Sequence, residues 1–394
     1  MVVIRTVAIC CFLPTILAFT GPHQTATITS LQTLHATSSP VSNDDITQEQ
    51  YNSLTNWFTN KSPRAYISPK FSIAPSPAGG YGAFVSQDVS AGELLLRIPR
   101  SVCLTLDDVF NDVECGNQFK KLMEEAGPGS DTVIIAGYLA KEYLLMQEYE
   151  MRLKDVLGGS SIDASAQKRF ESVKFGPYLR SLPWRVGVNS QDHVLFWEEE
   201  DVERLLEGSL AYEDAIEIRN SVKYATKILT GIIGPVVNRA RGIEEEEQET
   251  DGFRLPWQQP KEKKNIEIVV EGLEEAVKGA FVICLSRGFA RTFKGDYTKE
   301  EECLVPFLDI LQHSNEPNCS DENSAEESNM IEVKASTDIK AGDELFNQYK
   351  QEEDVNMPYH KFFTRFGFVP GVVEPMADLI ASRSSIFFPK QQVV

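Results

Sequence analysis

The sequence predicts an α+β fold in which short strands, arranged in small sheets, flank a long and mostly helical middle. Two regions combine short apolar runs with turn residues: Phe71–Leu104 and the stretch that follows Gly288. Runs of this length, bounded by Pro and Gly, are typical of strands joined by tight turns. From Leu106 to about Gly288 the apolar residues recur at helical spacing instead. The two strand-rich regions must therefore meet in space to share one core.

The individual elements follow from local patterns. An amphipathic helix is predicted over Asp44–Lys61, and strands are predicted at Ala83–Val85 and Leu94–Pro99. The middle region contains predicted helices that begin at Asp131 or span 196–209, 212–237 and 265–286. After Gly288, three short apolar runs predict strands at 304–307, 330–333 and 344–346.

Composition limits the partners of the chain. Its 394 residues allow roughly one to three domains. A net charge of −20 repels polyanions, so we expect neither nucleic-acid binding nor a stable association with a membrane. The excess of acidic residues is mostly expected on solvated surfaces, and it favours a basic partner only weakly.

The cysteines predict neither a disulfide framework nor a metal site. Two of the seven, Cys10 and Cys11, lie in an N-terminal apolar run. The other five are scattered and form no pair at metal-binding spacing: Cys103, Cys115, Cys284, Cys303 and Cys319. This usage favours a reducing compartment.

The N-terminus is interpreted as a targeting segment. Met1–Arg5 is short and basic, and Thr6–Ala18 is apolar but too short to span a bilayer, which is typical of a signal peptide. Phe19–Asn43 is rich in Ser and Thr and lacks acidic residues, as transit peptides do. The pair resembles the two-part plastid leader of algae with secondary plastids. We therefore predict the plastid stroma, with the secretory pathway as the alternative.

Three segments, in order along the chain, resemble the motifs of SET-domain methyltransferases. They are Gly79–Val85 with Asp88–Leu95, then Val305–Ser314 continuing to Cys319, and finally Ile339–Tyr349. Each motif alone is weak, because Gly-x-Gly turns are common, but three in order are specific. Ser286–Phe289 further resembles the plastid subgroup typified by the Rubisco large-subunit lysine methyltransferases, and the stretch 175–183 resembles part of that subgroup's insertion.

The resemblance covers about residues 68–370 and implies a SET-domain fold of small sheets interrupted by a long α-helical insertion. The implied organisation is a signal peptide (1–18), a transit-like segment (19–45), an N-terminal helix (46–67), a first SET part (68–104), the helical insertion (105–285), a second SET part (286–370) and a short tail (371–394). Most of the C-terminal substrate-binding domain that such relatives usually carry is expected to be missing.

The implied cofactor is S-adenosyl-L-methionine, and the implied substrate is a protein that presents a lysine. Methyl transfer from a sulfonium is a direct displacement that needs alignment and a neutral amine but no metal. A free lysine has a pKa of about 10.4, so the site must lower it, which an apolar channel does by desolvation.

The resemblance also assigns roles to single residues. Tyr349 matches the catalytic tyrosine beside the transferred methyl group. Cofactor binding is assigned to Gly79, Gly80, Tyr81, Arg287, Gln312, His313 and Phe368. Substrate binding is assigned to Arg287, Arg291, Asp309 and Phe366.

Two other functions stay open from the residues alone. One is a non-catalytic SET-fold protein-binding module, suggested by Gln312 at a position where the family has Asn and by the short stretch after Pro370. The other is a methyltransferase that acts on a histidine side chain. Tyr349, His313 and Asp309 also have an ordinary structural interpretation, as buried core side chains. The acceptor protein, the degree of methylation and the oligomeric state do not follow from the sequence.

Overall fold

A computed structural model describes residues 48–77, 80–127, 129–157, 173–184, 192–243, 270–291, 293, 301–324, 329–349 and 357–369. The predicted leader (1–45), Gly79 and the predicted tail (371–394) lie outside the described residues. No helix in the described ranges is long and apolar enough to cross a membrane.

The described α-helices are, in chain order, α1 (Gln48–Lys61), α2 (Leu106–Phe110), α3 (Gly116–Ala126), α4 (Asp131–Leu157), α5 (Gly176–Ser181), α6 (Glu199–Leu206), α7 (Leu210–Ala240), α8 (Leu273–Arg287) and α9 (Tyr359–Phe366). The described strands are β1 (Tyr66–Ile67), β2 (Phe71–Pro75), β3 (Tyr81–Val85), β4 (Leu94–Pro99), β5 (Leu104–Thr105), β6 (Gly288–Arg291), β7 (Glu301–Leu304), β8 (Gln312–His313), β9 (Cys319–Asn323), β10 (Met330–Ala335) and β11 (Glu344–Asn347).

Three small sheets bring the early and late strands together. Their strand orders are β1-β4-β10-β9, β2-β3-β11-β8 and β5-β7-β6. In the second sheet β11 runs antiparallel to β3, with Glu344 opposite Phe84, and parallel to β8, with Asn347 opposite His313. The two strand-rich regions therefore share sheets, and the predicted α+β class of small sheets combined with helices is confirmed.

Several predicted boundaries were wrong, each for a local backbone reason. The strand predicted at 304–307 ends at Leu304. Pro306 has no N–H for a ladder, and Phe307 adopts a positive φ of 70° before a 3₁₀ turn over Leu308–Ile310. The helix predicted from 196 to 209 is limited to α6, and Gly208 (φ 81°) separates α6 from α7. The helix predicted over 265–286 begins at Leu273, directly after Gly272 with its left-handed φ of 74°, and the part of the prediction at 265–269 lies outside the described residues.

Helices and sheets share one apolar core. Helix α8 is buried along most of its length between α4 and α7, and its C-terminal end continues directly into β6. A buried ion cluster lies in the helical part: the Lys141 ammonium is 2.6 Å from Asp112, 3.0 Å from Glu114 and 2.9 Å from Glu142. These three carboxylates lie close enough together to hold a cation, and the lysine supplies it.

Candidate active site

Tyr349 follows directly on β11, two residues after the strand ends. Its hydroxyl donates a hydrogen bond to the carbonyl oxygen of Leu311 at 2.9 Å, and its backbone N–H donates to Nδ1 of His313 at 3.1 Å. Burial raises the pKa of the phenol to about 12, although the nearby Arg287 opposes the shift. The phenol therefore stays neutral across the physiological pH range.

The two late segments are tied together by Asn318. Its Nδ2 donates to the carbonyl oxygen of Glu344 at 2.8 Å, and its Oδ1 accepts from the N–H of Phe346 at 2.7 Å. The N–H of Ser314 also donates to the carbonyl oxygen of Asn347 at 3.0 Å. These bonds continue the parallel pairing of β8 with β11, so the 304–320 segment is fixed against the strand that leads to Tyr349.

The predicted cofactor turn lies against β8. Gly80 adopts a positive φ of 66°, which favours glycine, and its carbonyl oxygen accepts from the N–H of Ser76 at 2.9 Å. The side-chain amide of Gln312 donates from Nε2 to the carbonyl oxygen of Tyr81 at 3.1 Å. The structure thus places Gln312 against Tyr81, which follows the turn at Gly80, and His313 is the next residue of β8.

Gly82, the next glycine, allows a close approach by Glu344. A Cβ atom on residue 82 would lie 2.0 Å from Oε1 of Glu344, so any larger side chain would displace that carboxyl group. Burial raises the pKa of Glu344, while a hydrogen bond with Ser76 opposes the shift. The two glycines are therefore required for different reasons: Gly80 forms a turn, and Gly82 leaves room for the carboxyl group of Glu344.

Asp309 is a buried carboxylate held by two elements. The hydroxyl of Tyr178, on α5, donates to its Oδ2 at 2.8 Å. Arg287, at the end of α8, has Nη1 3.7 Å from the same oxygen and also donates to the backbone carbonyl of Asp309. Burial raises the pKa of Asp309 although Arg287 and Tyr178 both lower it. Asp309 therefore has a structural role, because its buried carboxylate joins α5 to the end of α8.

A cavity of about 530 Å³ opens beside Tyr349. Its walls come from β6, from β9 and from the end of β11, and they include three of the predicted substrate residues: Arg291, Asp309 and Phe366. The other predicted residues, Gly80, Tyr81, Arg287, Gln312, His313 and Phe368, are not among its described lining residues. Tyr349 therefore contacts both groups, because it lines the cavity and bonds to His313.

Aromatic rings surround the tyrosine. Phe366 lies 5.2 Å and Phe368 6.3 Å from the Tyr349 ring, measured between centroids, and His313 lies 5.3 Å away. Helix α9 ends at Phe366, and the left-handed φ of 82° at the following Gly367 turns the chain between the two phenylalanines. This turn lets both rings flank the same tyrosine.

Sequence reasoning missed several residues of this site. Tyr178 and Asn318 lie in segments that carried the family resemblance, but nothing in the sequence indicated that they bond to Asp309 and to β11. Asn347 also lies in such a segment, but its bond to Asp321 depends on strand pairing, and Asp321 itself carried no signal. Gly79 lies outside the described residues, and its predicted role stays a prediction.

Comparison with known proteins agrees with this geometry. The model of the SET domain family matches residues 80–350. N-lysine methyltransferase setd6 of Xenopus laevis is 22% identical over 294 residues, which cover 73% of this chain and 50% of the relative. The chain thus spans about half the length of that curated relative.

Solved structures support the fold. The SET domain of LSMT bound to lysine and AdoHcy superposes with a TM-score of 0.53 at 18% identity, covering 82% of this chain and 57% of the other. Rubisco LSMT bound to AdoMet gives a TM-score of 0.52 at 16% identity, covering 81% and 56%. The family model spans more than half of the sequence, including the turn at Gly80, Asn318 and Tyr349, and the chain therefore belongs to the SET domain family.

Proposed function

We propose that the chain is an S-adenosylmethionine-dependent protein-lysine N-methyltransferase. The observation that carries the proposal is the position of Tyr349 between the predicted cofactor residues and the cavity lined by predicted substrate residues. The curated relative is named as an N-lysine methyltransferase, one similar structure contains lysine with AdoHcy, and another contains AdoMet. These names support the same chemistry for this chain.

The residues present fit the cofactor. Nε of Arg287 is buried and has no hydrogen-bond partner among the described residues, so it offers a donor that suits a carboxylate. Gly80 forms a turn with a positive φ, the side chain of Gln312 bonds to the carbonyl oxygen of the adjacent Tyr81, and His313 follows Gln312. When bound, the cofactor supplies an electrophilic methyl group on a sulfonium sulfur.

Tyr349 is placed to orient the acceptor amine. Its hydroxyl hydrogen is committed to the Leu311 carbonyl, so its oxygen remains an acceptor for an N–H of the incoming amine. That contact directs the nitrogen lone pair and holds the amine in an attacking geometry. Phe289 and Phe366 line the cavity with apolar surface, which favours the neutral form of a lysine by desolvation.

The substrate that we propose is a lysine of a plastid protein. The support is the composition of residues 1–45 and the resemblance of the Ser286–Phe289 motif to the plastid subgroup. A fluorescent fusion of residues 1–60 tests the location. We expect fluorescence in the stroma, and secretion of the fusion would contradict the plastid proposal.

The activity is tested by incubating the full chain with methyl-labelled S-adenosylmethionine and plastid protein extract. We expect label in a protein band, mapped by mass spectrometry to a lysine side chain, and competition by the demethylated product. Label on a histidine side chain instead would show that the chain is a histidine methyltransferase, which is the alternative function. Binding of the cofactor without transfer to plastid or cytosolic proteins would favour a non-catalytic binding module.

A further inference from the structure

Asp321 connects a wall of the cavity to the backbone that carries Tyr349. It lies on β9, and its side chain is 12% exposed. One carboxylate oxygen, Oδ2, accepts from the guanidinium of Arg291 on β6. The other, Oδ1, accepts from Nδ2 of Asn347 at 2.7 Å. A single carboxylate therefore joins three strands that belong to three different sheets.

The bond from Asn347 fixes the orientation of its amide. With Nδ2 facing the carboxylate, Oδ1 points the other way and accepts from the N–H of Gln348 at 2.8 Å. Gln348 lies just past the end of β11, and Tyr349 follows it. The amide of Asn347 thus supplies a hydrogen-bond acceptor for the backbone N–H of Gln348 at the point where the chain leaves the sheet.

We propose that Asp321 is a positioning residue for Tyr349, an inference that rests on the proposed function. Asp321 holds the amide of Asn347, the amide holds the N–H of Gln348, and this bond sets the path of the backbone into Tyr349. The tyrosine must be placed to within about 1 Å for efficient transfer, so loosening this chain of bonds lowers turnover. Arg291, predicted as a substrate contact, acts here by holding Asp321.

Two substitutions cut the connection at different bonds. Asn347→Ala removes the link to Gln348 but keeps the ion pair of Arg291 with Asp321. Asp321→Ala removes both the ion pair with Arg291 and the acceptor for Nδ2 of Asn347. The matched control is Glu322→Ala, which removes an exposed carboxylate next along β9, on a side chain that points to the opposite face of the strand.

Steady-state kinetics give the first result. We expect each substitution to lower kcat about tenfold, and the double variant to lose no more than the larger single loss, because both act through one chain of bonds. Asn347→Ala leaves KM for a lysine peptide unchanged, whereas Asp321→Ala also raises it, because the cavity wall loses a negative charge that favours a cationic substrate. Additive losses in the double variant, or a change in KM alone, would overturn the proposal.

A spectroscopic result separates this inference from the proposed activity. The chain is labelled with 3-fluorotyrosine, and the ¹⁹F resonance of Tyr349 is assigned by its loss in Tyr349→Phe. We expect that resonance to shift and broaden in Asp321→Ala and Asn347→Ala but not in Glu322→Ala. An unmoved resonance refutes the positioning role even if the chain transfers methyl groups. A moved resonance supports it even if the chain proves inactive.

Discussion

The hydroxyl of Tyr349 donates its hydrogen to the backbone carbonyl of Leu311, 2.9 Å away. Leu311 directly precedes β8, the short strand whose pairing with β11 delivers Tyr349 to the site. The acceptor of the hydrogen bond and the path of the tyrosine therefore depend on the same strand pair. Substitutions that loosen this pair are expected to affect stability and turnover together.

Asn318 is the side chain that holds this pair most directly. Asn318→Ala removes bonds to the Glu344 carbonyl and to the Phe346 N–H, leaving two partly buried backbone groups without these partners. We expect the free energy of unfolding to fall by about 2 kcal/mol in urea denaturation. The control Asn56→Ala, on the exposed side of α1, is expected to change stability by less than about 0.5 kcal/mol. Equal stability of both variants would contradict the assigned role of Asn318.

Tyr178 supports the buried carboxylate of Asp309. Tyr178→Phe removes the donor at 2.8 Å and keeps the ring, so we expect a loss of about 1–3 kcal/mol in the free energy of unfolding. Losing a bond to the charged form raises the pKa of Asp309 further, which moves the acidic limb of the pH–rate profile to higher pH. The profile of the exposed variant Tyr224→Phe serves as the control. If the wild type and Tyr178→Phe have the same acidic limb, the protonation of Asp309 does not limit the rate.

Gly82 and Glu344 form a steric pair. Gly82→Ala places a methyl group where Oε1 of Glu344 lies, and we expect a loss of about 1–3 kcal/mol in stability. In the Glu344→Ala background the same substitution should cost much less, since the conflicting atoms are absent. Gly231→Ala on α7, where a Cβ meets nothing within 4 Å, is the control and should not destabilise. A full penalty in the Glu344→Ala background would contradict the contact.

Glu302 is expected to make stability depend on pH. Burial raises the pKa of its carboxyl from 4.5 to about 7, with Asp131 adding to the rise, whereas the hydroxyl of Thr132, which donates to it at 2.7 Å, and Arg365 oppose it. Because the folded chain holds this proton more tightly, the contribution to stability is full below pH 4.5 and is lost as the pH rises through 7.

Glu302→Gln lacks this titration. At pH 8 we expect the variant to be more stable than the wild type by on the order of 1–3 kcal/mol, and we expect most of that advantage to be absent near pH 4.5. Urea denaturation at the two pH values measures the difference. An advantage of equal size at both values would show that the titration of Glu302 is not its cause.

The sequence predicted the strands that have a strong local pattern. The strands at 83–85, 94–99, 330–333 and 344–346 were confirmed within one or two residues. The strand predicted at 304–307 was wrong after Leu304, because an apolar run does not show whether its backbone can pair with a neighbouring strand. Pro306 and the positive φ of Phe307 end the strand there, and neither effect is part of apolar periodicity.

Residues of the candidate site could be predicted where they lie in a motif. They could not be predicted where only the pairing of distant strands brings them to the site. Motif matches led to Tyr349, Gln312 and His313, which the structure brings together. Asp321 is an unremarkable residue on a polar strand, and its contacts exist only because β6, β9 and β11 converge on the cavity. Such convergence follows from the sheet topology, which local patterns do not determine.

The proposed role of Tyr349 in catalysis is tested by comparing methyl transfer by the wild type, by Tyr349→Phe and by the control Tyr359→Phe. Tyr359 is an exposed tyrosine on α9. Transfer is measured with methyl-labelled S-adenosylmethionine, and cofactor binding is measured by calorimetry on the same samples. We predict that Tyr349→Phe binds the cofactor within about threefold of the wild type but loses at least about 100-fold in kcat, while Tyr359→Phe retains both. Transfer by Tyr349→Phe at the wild-type rate would contradict the catalytic role of Tyr349.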